Sequence, residues 1–275
     1  VGDFTFYLGT HMPNWLAVAG VPLFVSRRRL FRRRNMPRAI ARWALDSGGF
    51  TEIGKYGKWM TEPERYADEV RSWSKDIGMM DFAAIQDWMC EPAMLAKTGL
   101  TVREHQARTV QSYLDLTRLA PEVSWMPVLQ GQCIPQYVDH IHEYKAAGID
   151  LTRARIVGVG SVCRRQGTTW CKNLQTWLWL HGIMTHFFGM KRGGLVDDTW
   201  SVANWGRRVA SSDSLAWSAE ARRVPPMEGH THKNCANCLE YALAWRKRVL
   251  EAVKKDADPP PVTRPRPEAR HPRPN

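Results

Sequence analysis

Trp43-Ala44-Leu45-Asp46-Ser47-Gly48-Gly49-Phe50 is an apolar run that ends in an acid and two glycines. In an extended conformation the run carries the Asp46 carboxylate to the carboxyl edge of a sheet, and the glycines let a flat ligand approach the backbone. The alternative is an Asx-turn that only caps a strand end. Outward from this stretch the pattern recurs. Phe4–Leu8, Pro22–Ser26, Phe82–Gln86, Trp125–Gln130, Arg155–Val159, His186–Met190 and Arg208–Ser212 are further β-prone runs separated by longer helical segments. Eight strands in that rhythm predict an α/β fold of the (β/α)8 TIM barrel type, with a doubly wound open sheet as the alternative. Thr61-Glu62-Pro63-Glu64 and Thr101-Val102-Arg103-Glu104 match the capping box that opens a helix.

The 275 residues, 44% of them hydrophobic, suffice for one large core, and closed α/β barrels need about 250 residues. One catalytic domain over residues 1–255 is therefore expected. It includes a zinc-binding C-terminal subdomain at 228–255, where Leu239 to Val253 carries apolar residues at helical spacing. Residues 256–275 are rich in Pro and Arg and are expected to be disordered. Lys and Arg outnumber Asp and Glu by 39 to 27, a net charge of +12 that calls for an acidic partner, nucleic acid first. No run reaches the roughly 18 apolar residues of a membrane span, and no signal pattern opens the chain. A cytoplasmic protein that does not engage membrane and holds no disulfides is the expectation. Cys90, Cys133, Cys163 and Cys171 read as small buried hydrophobes.

Catalytic groups of a barrel sit at the carboxyl ends of its strands, and Asp46, Asp87, Gln130, Gly158 to Gly160 and Asp213 fall at such places. Ordinary strand-end turns are the alternative for Gln130 and the glycines. His230-x-His232-x2-Cys235-x2-Cys238 offers four ligands at spacings that tetrahedral zinc accepts, the alternative being a loop of buried thiols and solvated histidines. Arg27, Arg28, Arg29, Arg32, Arg33 and Arg34 follow the second strand, with no acid near them in sequence. They read as a phosphate track beside the barrel mouth. Asp197-Asp198 reads as a solvated acid pair, with a metal-dependent nuclease site as the weaker alternative. Most of the 13 tryptophans read as core.

Five short motifs in order resemble the tRNA-guanine transglycosylase superfamily. They are Asp46-Ser47-Gly48-Gly49-Phe50, Gln86-Asp87, Leu129-Gln130-Gly131, Val157-Gly158-Val159-Gly160 and Ser212-Asp213-Ser214. The chain departs from the family in Thr51, where many members carry Gln, and in a metal cluster of two histidines and two cysteines rather than three cysteines and a later histidine. The resemblance implies exchange of a purine at a glycosidic carbon. Asp213 then stands in the place of the nucleophile, which forms a covalent glycosyl intermediate. Asp46 moves the proton of the leaving or incoming base. Asp87 reads the guanine edge, and Ser47, Gly48, Gly49, Phe50, Gln130, Gly131, Gly158 and Gly160 complete the base site. Gln130 and the backbone at Gly158 to Gly160 are expected to donate to the carbonyl oxygen of the base.

Phe6-Tyr7-Leu8-Gly9-Thr10-His11 with Trp15, Ser26-Arg27-Arg28-Arg29-Leu30 and Ser212-Asp213-Ser214-Leu215-Ala216-Trp217 are most similar to the bacterial and phage DpdA-type enzymes that insert 7-deazaguanine derivatives into DNA. The expected partners are then guanosine-containing DNA and a free 7-deazaguanine base such as preQ0, in a bacterial cell or phage-infected host. Structural Zn2+ is the expected cofactor. A homodimer or an accessory modification protein is left open. The alternatives are base exchange in tRNA and a catalytically silent nucleic-acid-binding subunit. Duplex DNA would require the target nucleotide to be flipped out, at a cost of a few kcal/mol.

Overall fold

The computed structural model describes residues 4–163, 168–190 and 209–255. Nine parallel strands form one sheet: β1 (Thr5–Thr10), β2 (Leu23–Ser26), β3 (Trp43–Asp46), β4 (Met80–Ala84), β5 (Trp125–Met126), β6 (Val128–Leu129), β7 (Val157–Val159), β8 (Thr185–Phe187) and β9 (Ser211–Ser214). Their order is β5-β4-β3-β2-β1-β9-β8-β7-β6. The outermost two, β5 and β6, are consecutive pieces of one run divided at Pro127, whose nitrogen has no hydrogen to give a ladder. The sheet therefore curls into a nearly closed barrel of the expected α/β type. Pro127 still accepts from the Gly158 N–H at 2.8 Å, which ties the seam to β7.

Around the sheet lie α1 (Gly49–Tyr56), α2 (Pro63–Ile77), α3 (Pro92–Thr98), α4 (Val102–Leu119), α5 (Ile134–Ala146), α6 (Thr169–Leu180), α7 (Ala216–Glu220) and α8 (Leu239–Lys255). Thr101 forms both halves of its capping box with Glu104. The box expected at Thr61 does not form, because α2 begins at Pro63 and the Thr61 hydroxyl donates to Glu52 Oε1 at 3.0 Å. The expected final helix packs on the barrel. Trp245 lies 6.0 Å from the Phe6 ring, and the Arg246 guanidinium donates to the Phe6 carbonyl. Tyr241 and Trp245 also donate to Glu220 of α7, at 3.0 and 2.9 Å.

Several strand ends differ from their sequence reading, with consequences for the site. Strand β4 stops at Ala84, so Gln86 and Asp87 lie on the loop beyond it. Strand β9 runs to Ser214, which puts Asp213 inside a strand. Within the barrel Tyr7, Phe24, Phe82 and Phe188 surround the buried His186 ring, with centroids 5.1–6.0 Å from it. Cys90 and Cys171 are buried as expected, whereas Cys133 is exposed. No helix among the described residues is long and apolar enough to cross a membrane. The tail 256–275, Asp197-Asp198 and Arg208 lie outside the described residues.

Candidate active site

Asp46 closes β3, and the chain then turns sharply. Gly48 has φ 80°, a left-handed conformation that glycine adopts without a Cβ clash, and it caps the start of α1. The Asp46 carboxylate accepts hydrogen bonds from the Ser26 hydroxyl and the Gly48 N–H. Burial nevertheless raises its pKa above the ordinary carboxylate value, and the negative charge of Asp213 pushes the same way. Two acids from β3 and β9 therefore feel each other across the barrel mouth. Phe50 stands beside this turn with 48% of its surface exposed.

Asp87 forms the second part of the site. The Ser47 hydroxyl donates to its Oδ1 at 3.4 Å and Gln130 Nε2 donates to its Oδ2 at 2.5 Å. Burial lifts the Asp87 carboxyl to about 7 against the opposing Gln130 hydrogen bond, and the Asp46 and Glu91 charges add to the rise. Gln130 itself is fully buried and held at every polar atom. Its N–H donates to His140 Nδ1, its carbonyl accepts from Gln106, and its Oε1 accepts from the Ser161 hydroxyl. Burial holds the His140 ring neutral, with its pKa down to about 3, which suits it as that acceptor.

The glycines serve this arrangement differently from the sequence expectation. An added Cβ at Gly160 would stand 2.2 Å from Gln130 Nε2, and one at Gly158 would stand 2.8 Å from the Phe188 ring. Both amides are already used, Gly158 on the Pro127 carbonyl and Gly160 on the Leu129 carbonyl. They are therefore not the donors expected for a base carbonyl, and their lack of side chain makes room for Gln130 and Phe188. Gly131 likewise abuts Tyr137, and Gly49 abuts Trp59. Gln130 directs an amide hydrogen at Asp87, so in this structure it positions the acid.

Asp213 is 8% exposed. Its Oδ1 accepts from the Gly189 N–H at 2.8 Å and lies 3.3 Å from His186 Nε2. Asp46, Ser47, Asp87, Gln130 and Asp213 are thus brought to one mouth. Sequence reasoning missed Ser26, Ser161, Glu91, His140 and His186. Ser26, Ser161 and His186 acquire their roles from partners 20 or more residues away, and Glu91 and His140 from nearer residues that only the fold turns toward them.

The arginine run divides. Arg28, Arg29, Arg32 and Arg34 are exposed, and Arg33 is partly buried and donates to Asn14 Oδ1 at 2.6 Å. The stem of Arg28 lies across the glycine turn, with its Cγ 2.9 Å from a Cβ built at Gly48. Arg27 is the correction. It is 4% exposed and paired with Glu52 and Glu69 at 3.4 and 2.7 Å, so its guanidinium is closed to phosphate. The acids absent from its neighbourhood in sequence arrive from α1 and α2.

Below α7 the side chains of His230, His232, Cys235 and Cys238 place one ligand atom each within 4.8 Å of one another. His232 Nε2 lies 3.1 Å from Cys235 Sγ, and His230 Nδ1 lies 3.7 Å from both sulfurs. Tetrahedral bonds of roughly 2.0 Å to nitrogen and 2.3 Å to sulfur imply edges of about 3.3–3.8 Å, so the donor set can close on one ion. Two further contacts fit a metal centre. The Met227 N–H points at Cys235 Sγ at 3.4 Å, and Glu240 Oε2 sits 3.0 Å from the other ring nitrogen of His230.

A family model described as "DpdA: DeoxyPurine in DNA protein A" matches residues 3–268. No curated protein matches the chain. Among solved structures the chain is similar to a putative fructose-1,6-biphosphate aldolase from Coccidioides immitis. The two share 9% identity and a TM-score of 0.48, over 92% of each chain. It is also similar to the YdjI aldolase from Escherichia coli K12. Here the identity is 14% and the TM-score 0.40, over 93% of this chain and 88% of that one.

Proposed function

The chain belongs to the DpdA family, DeoxyPurine in DNA protein A, and from that membership we propose that it exchanges guanine in DNA for a 7-deazaguanine base such as preQ0. The observation that carries the reading is the meeting of Asp46, Asp87 and Asp213 at one end of the barrel, in the electrostatic contact described above. Asp213 attacks C1′ of the target nucleotide, the glycosidic bond breaks, and a glycosyl ester forms. Asp46 gives the departing base its proton. Because the Asp213 charge helps to hold that proton, neutralising Asp213 as an ester makes Asp46 a stronger acid as the base leaves. The incoming base returns the proton to Asp46 and displaces the ester, with retention at C1′. Phe50 offers an exposed aromatic face beside the turn, and Ser47 and Gln130 orient Asp87 toward the N1–H and 2-amino donors of the base.

Mass spectrometry of nucleosides from DNA and tRNA of cells expressing the chain tests the proposal. A 7-deazaguanine deoxynucleoside in the DNA is expected, and modification confined to tRNA would overturn the choice of polymer.

Asp87 gives the site a pH dependence. Only the ionised carboxylate accepts from two donors, so binding of the free base should weaken about tenfold for each pH unit below about 7. Calorimetric titration of the base across pH 5–9 checks this, and Asp87→Asn should bind weakly at every pH. Stability moves the opposite way. A carboxyl whose folded pKa is raised contributes stability below its unfolded value, near 4, and loses it as pH climbs through about 7. Asp87→Asn should therefore melt higher than the parent protein at neutral pH and lose that advantage in acid.

Arg28, Arg29, Arg32 and Arg34 are read as the phosphate track leading to the mouth. Each phosphate contact steepens the salt dependence of duplex binding by about 0.9 in log–log slope. Replacing the four by Gln should flatten that slope by roughly two to four units and leave free-base binding intact. An unchanged slope would place the track elsewhere. The Cys and His cluster is read as structural zinc, closed by four protein ligands.

A further inference from the structure

His186 is fully buried at the centre of β8, and no motif of the sequence singles it out. Its ring is walled by Phe24, Phe82, Phe188 and Tyr7. Two polar groups reach it. Ser211 Oγ lies 2.8 Å from Nδ1, and Asp213 Oδ1 lies 3.3 Å from Nε2. The second contact is an approach without hydrogen-bond geometry, and Nε2 has no hydrogen-bond partner among the described residues. A buried N–H without an acceptor is costly, so Asp213 is the acceptor this ring requires. Apo contacts of this kind tighten when substrate fills the site.

We propose that His186 is a positioning residue for Asp213, accepting a hydrogen bond from the Ser211 hydroxyl at Nδ1 and donating its Nε2–H to Asp213 Oδ1. The inference rests on the reading of Asp213 as nucleophile. Its consequence is an assignment of oxygens. Gly189 N–H holds Oδ1 and His186 Nε2 faces the same oxygen, which leaves Oδ2, with no partner among the described residues, to attack C1′. The ring moves no proton in the exchange; it fixes the rotamer of the group that reacts.

The tautomer is readable without turnover. Nitrogen-15 spectra of the full chain, with His186 assigned through His186→Gln, should show Nε2 protonated and shifted by Asp213→Ala. An Nδ1-protonated ring would overturn the proposal. Kinetics supply the second arm. Glutamine places its amide nitrogen near the position of Nε2, and asparagine places its own near Nδ1. His186→Gln should therefore stay within about threefold of the parent kcat, while His186→Asn and His186→Leu lose about 10- to 100-fold. KM for the free base should hold in all three, because Asp87 reads the base. Equal loss in Gln and Leu variants of unchanged melting temperature, or loss confined to KM, would overturn the inference. Exchange that survives Asp213→Asn would overturn the nucleophile reading and the role with it. Exchange lost in Asp213→Asn but untouched by His186→Leu would overturn this inference alone.

Discussion

Asp213→Asn is expected to lose base exchange by a factor on the order of 10^4 to 10^6 while it folds and binds DNA as before. The amide oxygen can still accept from Gly189 N–H, so the local structure has no reason to change. What disappears is the charge and the ability to form a glycosyl ester. Asp46→Asn makes the informative comparison. It should also turn over poorly, but through proton transfer in both half-reactions; Asp213 is intact, so the ester still forms slowly and persists when no incoming base is supplied. Denaturing gels of each variant mixed with a guanosine-containing oligonucleotide separate the cases, with adduct expected for Asp46→Asn and none for Asp213→Asn. Substantial exchange in Asp213→Asn would sink the assignment.

Cys235→Ser is expected to lower the melting temperature by on the order of 10 °C and to release about one equivalent of zinc. Cys235 is buried and approached by His232, His230 and the Met227 N–H, so its loss opens the cluster from the inside. The effect should travel. Helix α8 starts directly after Cys238 and carries the Trp245 and Arg246 contacts to β1, and β1 pairs with β9, the strand of Asp213. Metal analysis and calorimetry check both parts, and a chelator should reproduce the loss in the parent protein. Cys133→Ser, at an exposed cysteine outside the cluster, is the control and should change neither quantity. A stable preparation free of metal would contradict the reading.

The barrel was legible because most strands are short apolar runs bounded by polar turn residues, β9 with its Ser211-Ser212-Asp213-Ser214 being the polar exception. Strand ends were less so. Asp87 falls three residues past β4, and Asp213 falls inside β9, because pairing with neighbouring strands decides where a ladder stops. The acids of the site could be picked out since they sit at those junctions. Their supports could not. Ser161 reaches Gln130 across 31 residues, and His186 reaches Asp213 across 27 (213 − 186). Arg27 shows the same limit in reverse. Its place in a basic run pointed outward, yet Glu52 and Glu69 draw it inside against Tyr66, at 5.9 Å from the ring centroid. A run of like charge in sequence says nothing of partners that arrive from other helices.

The contact between Gly160 and Gln130 bears on how this site can drift over generations. Any side chain at 160 would occupy the space of the Gln130 amide, and a shorter residue at 130 would let go of the acid it steadies. The two positions can change only together, each substitution alone being harmful. Among descendants of a common ancestor they should therefore covary, with glycine at 160 wherever glutamine stands at 130. A lineage that breaks the pairing should also have changed the acid at 87, and with it the base it accepts.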